Sequence, residues 1–270
     1  MKRIISLLYR YLPKKWVNRI GGSQLLSGIR RRLLRPGGKL EIQREKIVFD
    51  EKPFWFQAPM RTMVKASTKG IERDLVRQAK TILRQQQKDS FVIFDIGANY
   101  GFVSFAWRTG LEKPTDIVLF EPHPALCSLL RETIGLNGFS DMKVEQLAIG
   151  DAPGKISINL YEGTANVIDL PEHRKGVAEV EQMTIDAYVE ASGKCPDLIK
   201  IDVDGYELNV LRGMQETVRK YKPVIVIETN DSPELMEYIR YLGYACYDEL
   251  LVPVPDGEVP KDNIFCIYPQ

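Results

Sequence analysis

Histidine is nearly missing from this 270-residue chain: there are two, His123 and His173, beside four widely spaced cysteines (Cys127, Cys195, Cys246 and Cys266) with no CxxC pair. That scarcity argues against a structural zinc site, which gathers Cys and His at close spacing. The cysteines read as buried, reduced thiols of a cytoplasmic protein. No stretch approaches the roughly 20 apolar residues that a membrane-spanning helix requires. "IISLLY" (4–9) is too short for the apolar centre of a secretory signal, and Arg10 interrupts the run. Low-complexity tracts and internal repeats are also lacking, and no acidic residue occurs in the first 40 positions.

The remaining composition is that of an ordinary globular protein, 44% hydrophobic and 27% charged, long enough for one α/β domain or two small ones. Residues 1–40 hold eleven Lys and Arg, leaving 26 basic against 36 acidic side chains in the rest. The chain is thus an acidic domain with a basic arm, and only the arm points to an anionic partner. Ile4, Leu7, Leu8, Tyr11 and Leu12 share one face of a helix that Pro13 should end. Leu26, Ile29 and Leu33 form a weaker stripe among Arg30, Arg31, Arg32 and Arg35. Such an arm, residues 1–35, suits either an anionic membrane surface or docking on the rest of the chain or on a second copy in a homodimer. It carries no recognised nucleic-acid-binding motif. The expected division is a basic amphipathic extension over 1–65 and one domain over 66–270, located in the cytoplasm and, if the arm binds lipid, peripheral on the inner face of the membrane.

"GIERDLVRQAKTILRQQQ" (70–87) has a helical apolar stripe. From residue 91 strands and helices alternate. Strands are expected at 91–96, 116–121, 143–149, 155–161, 197–203 and 223–229, with helices at 101–109, 124–135, 184–191, 205–220 and 233–242. Several strands are continuous apolar runs, as in a sheet covered by helices on both faces. The fold class is α/β: a doubly wound, mainly parallel Rossmann-like sheet, with antiparallel edges from the hairpin-like pair 143–161 and from "NIFCIYP" (263–269).

In such sheets ligands sit at the carboxyl ends of the strands, and "VIFDIGANYG" (92–101) occupies the first such end. A Walker A loop needs Lys-Ser or Lys-Thr after its glycines, and this loop has neither. A dinucleotide loop needs a second glycine where this chain has Asn99, so a pyrophosphate would meet a side chain. A ligand without phosphates tolerates Asn99, while Gly97 and Gly101 allow a tight turn and Asp95 accepts from an ammonium group. Glu121 in "LFEP" ends the next strand, where an acid holds both hydroxyls of a ribose. Ribose acid and phosphate-averse loop together suggest an adenosine that carries an amino acid, S-adenosyl-L-methionine.

The blocks "FVIFDIGANYGFVSF", "VLFEPHP", "VEQLAIGD", "MTIDAYV", "DLIKIDVDGYELNVLRGM" and "KPVIVIET" resemble the successive motifs of FkbM-type methyltransferases, over about residues 70–268. The resemblance implies a class I S-adenosylmethionine-dependent enzyme that methylates hydroxyl oxygens of polyketides or sugars, and the acceptor expected here is a hydroxyl of a sugar, lipid-linked glycan or other secondary metabolite. It places Asp95, Gly97, Ala98, Asn99 and Gly101 around the methionine end, Glu121 on the ribose with Pro122 and His123 beside it, and Ala148 at the adenine. Family members often have Asn where this chain has His123, and Glu where it has Asp204.

Methyl transfer to an alcohol needs alignment and a general base or electrostatic helper. Lys200, Asp202 and Asp204 alternate at the end of the 197–203 strand, with Glu207 and Glu228 nearby. Asp202 and Asp204 serve either as base and cofactor contact, as half of a Mg²⁺ site, or as an ion-pair cluster capping the sheet. His123 is a further catalytic candidate, and Glu72 a further contact for the donor's methionine end. A nicotinamide-dependent oxidoreductase and a catalytically silent donor-binding module are the alternatives in other classes.

Overall fold

The structure is a computed structural model that describes residues 42–68, 70–159, 166–167 and 177–269. The helix expected within residues 1–35 and His173 lie outside the described residues.

Two strands, β1 (Ile42–Phe49) and β2 (Lys52–Pro59), form an antiparallel hairpin that runs into helix α1 (Met60–Thr68). Helix α2 (Arg73–Gln85) leads to the central strand β3 (Phe91–Ile96). Then come α3 (Phe102–Gly110), β4 (Thr115–Phe120), α4 (Pro124–Asn137) and β5 (Met142–Glu145). Four strands, β6 (Ala148–Ile149), β7 (Gly154–Asn159), β8 (Asn166–Val167) and β9 (Val177–Met183), precede α5 (Ile185–Ser192). The chain continues through β10 (Leu198–Ile201), α6 (Glu207–Arg212) and α7 (Gln215–Tyr221). Strand β11 (Val224–Glu228), α8 (Pro233–Tyr241), β12 (Ala245–Tyr247) and β13 (Asn263–Ile267) complete the domain.

The main sheet has the order β12-β13-β11-β10-β3-β4-β5. Strands β11, β10, β3, β4 and β5 are parallel, and β13 is antiparallel to both neighbours. The direction of travel across the sheet reverses at β3, which lies between β4 and β10; the crevice at such a reversal is where open α/β sheets bind ligands. Along β3 the side chains alternate between two cores. Phe91 and Ile93 join Leu75, Leu83, Phe102, Phe105 and Trp107 on one face. Phe94 and Ile96 join Phe120, Val210, Ile225 and Ile239 on the other. Burial on both sides explains why the strand is apolar over most of its length.

The hairpin belongs to the first of these cores. Phe49, Phe54 and Phe56 are buried there, with Phe49 and Phe56 edge-on to the Phe102 ring at centroid distances of 5.6 and 5.5 Å. The extension expected to reach residue 65 therefore shares the domain's core from β1 onward.

Two of the expected elements are split in the structure. The run 143–149 is split: β5 closes the main sheet as a parallel edge, while β6 enters a second sheet of order β6-β9-β7-β8. The helix expected over 205–220 is split into α6 and α7 at Gly213. A Cβ on that glycine would stand 1.9 Å from the Gly150 carbonyl oxygen, so the backbone of this junction lies directly on the loop after β6.

Candidate functional site

The loop after β3 is seated on the next strand: the N–H groups of Gly97 and Ala98 donate to the Phe120 carbonyl at 3.0 and 3.1 Å. Gly97 has φ +80°, and a Cβ there would lie 1.8 Å from the carbonyl oxygen of Asp202. The residue is glycine because two strand ends meet at its Cα. Gly101 begins α3, and Asn99 takes a left-handed conformation with φ 52°.

Glu121, at the end of β4, is buried and accepts two backbone N–H groups, from Asn99 at 2.8 Å and His123 at 2.9 Å. Burial pushes its carboxyl up to about 7, against the pull of those two bonds. A cleft open to solvent begins here. Its walls include Gly97, Asn99, Glu121, Pro122, Ala148, Asp202, Asp204 and Tyr206, with Leu126, Leu147 and Ile149 supplying an apolar surface. Seven of the residues singled out from the sequence thus share one cavity at the reversal point of the sheet.

Asp95 and Glu72 lie below and beside that loop rather than in its wall. Asp95 is fully buried, and its Oδ2 accepts from Ser104 Oγ at 2.7 Å. Glu72 precedes α2 with φ 48° and ψ 47°, a strained conformation for a residue with a side chain. Three buried acceptors around the loop have no hydrogen-bond partner: Glu72 Oε2, Asp95 Oδ1 and Asn99 Oδ1. Burial raises the pKa of both Glu72 and Asp95, and the proximity of each to other carboxylates adds to it.

Lys200 is the hub of the charges. Its ammonium is buried 2.9 Å from Asp202 Oδ2 and 3.9 Å from Asp95 Oδ1. Burial opposes that charge, but Asp202, Glu72 and Asp95 outweigh it and hold the Lys200 pKa well above the ordinary value. Asp202 is likewise disfavoured by burial yet held below the ordinary carboxylate range by Lys200. Asp204 is an exposed residue at φ 53°; partial desolvation of its carboxyl, then Asp202 and Glu207, raise its pKa.

His123 has a structural task. Its Nδ1 accepts the Ala125 N–H at 3.1 Å, capping α4, which commits one ring nitrogen and fixes the imidazole. Two further acids shape the site. Glu207 is buried, and its Oε1 accepts the N–H groups of Val203 and Gly205, both at 3.1 Å, so it forms the turn that carries Asp204. Glu228 ends β11 beside Asp202. Ser104, which orients Asp95, left no sequence signal beyond its helical spacing from the loop. Among the described residues, no three His, Cys, Asp or Glu side chains are arranged to hold a metal ion.

The donor set suits a cationic ligand with an apolar, hydroxyl-bearing body. Acceptor oxygens without a hydrogen bond gather around the loop after β3, and Glu121 lines the cleft together with Leu126, Leu147 and Ile149. Residues 95–246 match the methyltransferase FkbM domain. Over 166 residues the chain is 25% identical to Methyltransferase 1 of Beauveria bassiana, covering 53% of this chain and 66% of that one. It is 26% identical over 160 residues to the hexuronic acid methyltransferase AglP of Haloferax volcanii (57% and 61% covered). It is 29% identical over 160 residues to the 2-O-methyltransferase NoeI of Sinorhizobium fredii (52% and 64% covered). The chain thus spans less than two thirds of the length of these relatives. A crystal structure of methyltransferase FkbM from Methylobacillus flagellatus aligns with a TM-score of 0.48 at 18% identity, covering 68% of this chain and 44% of that one.

Proposed function

This chain belongs to the FkbM methyltransferase family, and on that footing we propose that its cleft binds S-adenosylmethionine and methylates a hydroxyl oxygen of a sugar-type acceptor. S-adenosylmethionine is the family's methyl donor. The observation that carries the reading is the set of buried acceptors that receive no hydrogen bond, Glu72 Oε2, Asp95 Oδ1 and Asn99 Oδ1. A buried polar atom without a partner costs about 1–3 kcal/mol. An ammonium group brings three N–H donors and relieves that cost, and the donor's amino acid end has one.

The rest of the cleft fits the remainder of that molecule. Glu121 would hold the ribose hydroxyls, its carboxylate keeping lone pairs free beyond the two N–H bonds it accepts. Leu126, Leu147, Ala148 and Ile149 would flank the adenine. Once bound, the donor supplies an electrophilic methyl group on a sulfonium, and the chain's residues align it and exclude water. The acceptor would lie past Asp202, over the ends of β10 and β11. The names of two relatives, a hexuronic acid methyltransferase and a 2-O-methyltransferase, support a sugar hydroxyl as the acceptor. A lipid-linked glycan would also suit the basic arm of residues 1–35.

Labelled S-adenosylmethionine incubated with this protein and an extract of the source cells should place one methyl group on a saccharide hydroxyl, read by mass spectrometry. Calorimetric binding of the donor without any labelled product would instead favour a silent binding module. Binding of NAD in place of the donor would overturn the reading.

A further inference from the structure

Resting on that reading, we infer that Asp202 and Glu228 act as one proton-accepting pair for the acceptor hydroxyl, with Lys200 deciding which of the two carries the proton. Strands β10 and β11 run parallel with Ile201 opposite Ile227, so the residues directly after them in register, Asp202 and Glu228, stand side by side. The two carboxyls are close enough that each shifts the other's titration. Two adjacent carboxylates repel each other when both are ionised, so the pair favours holding one proton.

Lys200 assigns that proton. Its ammonium lies 2.9 Å from Asp202 Oδ2 and favours the charged form of Asp202, which leaves the proton on Glu228. The remaining groups around the pair act in the same direction. Burial, Asp202, Glu207 and Asp204 all raise Glu228, to about 7, while Lys65 of α1 adds to Lys200 in keeping Asp202 ionised. The two values belong to the pair as a unit. Other candidates are less well placed. His123 has one nitrogen committed to the α4 cap, and Asp204 is an exposed residue of the turn that Glu207 holds.

Asp202 lines the cleft, and Glu228 lies one strand further out. In the step assigned to them the acceptor O–H bond breaks and its electron pair stays on the oxygen. A new O–H bond forms on a carboxylate oxygen of the pair, and the proton comes to rest on Glu228. Lys200 keeps its own proton throughout. The pair must start unprotonated, so turnover rises with pH through about 7.

Infrared difference titration tests the shared proton without donor or acceptor. Wild type minus Glu228→Gln should show a protonated-carboxyl band that disappears with a midpoint near pH 7, and ¹³C-glutamate labelling should shift it. The Glu121 carboxyl, raised to a similar value, is present in both proteins and cancels. Absence of the band, or a band insensitive to glutamate labelling, overturns the assignment. With labelled S-adenosylmethionine and source-cell extract, Glu228→Gln should lose about 100-fold in transfer rate and the rise through pH 7, with donor affinity unchanged. An equal loss in donor affinity, or an unchanged rate, also overturns it. A wild-type protein that binds no donor and labels nothing sinks the methyltransferase reading instead, and the carboxyl band distinguishes the two failures.

Discussion

The backbone N–H of Asn99 donates to Glu121 Oε2 at 2.8 Å, so the acid at the end of β4 is also a strut of the loop that ends β3. One carboxylate therefore serves ligand and loop together. Glu121→Ala should weaken S-adenosylmethionine binding by about 1–3 kcal/mol and lower stability by a similar amount, because the Asn99 and His123 N–H groups both lose their acceptor. Calorimetry and thermal unfolding of the same variant read the two effects. Unchanged donor affinity would remove Glu121 from the site.

The raised pKa of Glu121 has a signed consequence. The unfolded carboxyl ionises near its ordinary 4.5, whereas the folded one holds its proton to about 7. Folding therefore takes up a proton between those values, and stability falls as pH rises from about 4.5 to about 7, then levels off. Glu228, raised to about 7 by the same cause, has the same sign. Denaturant midpoints of the ligand-free protein should decline across this window, and less steeply in Glu121→Gln. Donor affinity should move the other way, increasing through pH 7 as Glu121 becomes the better acceptor.

Gly97→Ala should destabilise the fold by more than about 2 kcal/mol, since the new Cβ would collide with the Asp202 carbonyl at the junction of two central strands. Gly138→Ala is the matched control. It has φ +66° and open space, so only the cost of the left-handed backbone applies, about 1–2 kcal/mol. Urea midpoints that fail to separate the two variants would show that the close contact carries no cost of its own.

Lys200→Met leaves the buried Asp95 and the half-buried Asp202 without their cation. The expected loss is about 3–5 kcal/mol near pH 8. The deficit should shrink under mildly acidic conditions, because Asp95 and Glu72, whose pKa values are already raised, then take up protons in the variant. Chemical denaturation under the two conditions measures it. A deficit independent of pH would mean that Lys200 acts through packing alone.

The parallel strands are legible in the sequence because burial on both faces leaves its mark residue by residue: the apolar run 91–96 has the bounds of β3 itself. Strand β9 is not, since "VAEVEQM" is half polar and its partners β6 and β7 are found only through the topology. Helix α1 escapes for a similar reason, its apolar face being too short to show a period. The break at Gly213 depends on a backbone contact with Gly150, distant in the chain, which no local pattern reports. In the site, residues tied to the loop and to Glu121 are legible because their spacing follows the strand ends. The pairing of Asp202 with Glu228 arises only once β10 and β11 lie side by side, and the hold of Glu207 on the Val203–Gly205 turn only once α6 has folded back over it.

Residues 1–35 lie beyond the described structure, yet their charge makes a separable claim. Each Lys or Arg near an anionic surface is worth about 1 kcal/mol. Full-length protein should sediment with phosphatidylserine vesicles at low salt and less at high salt, and deletion of 1–35 should remove that binding while donor affinity stays. A full-length protein that ignores such vesicles at low salt would return the arm to a docking role.

Strand β3 is the middle of the sheet, but of its two neighbours β4 comes next in the chain and β10 only after the whole of the second sheet. During synthesis the central strand therefore leaves the ribosome with one edge unpaired, and it waits with that edge open until β10 emerges. Its apolar run is then a template for pairing with other chains. The last strands to be made, β11, β12 and β13, are stacked outward from β10, so the half of the sheet that would carry the proton-accepting pair closes last. A nascent chain stalled before residue 198 would hold the loop and Glu121 without the Asp202 backbone against which Gly97 packs.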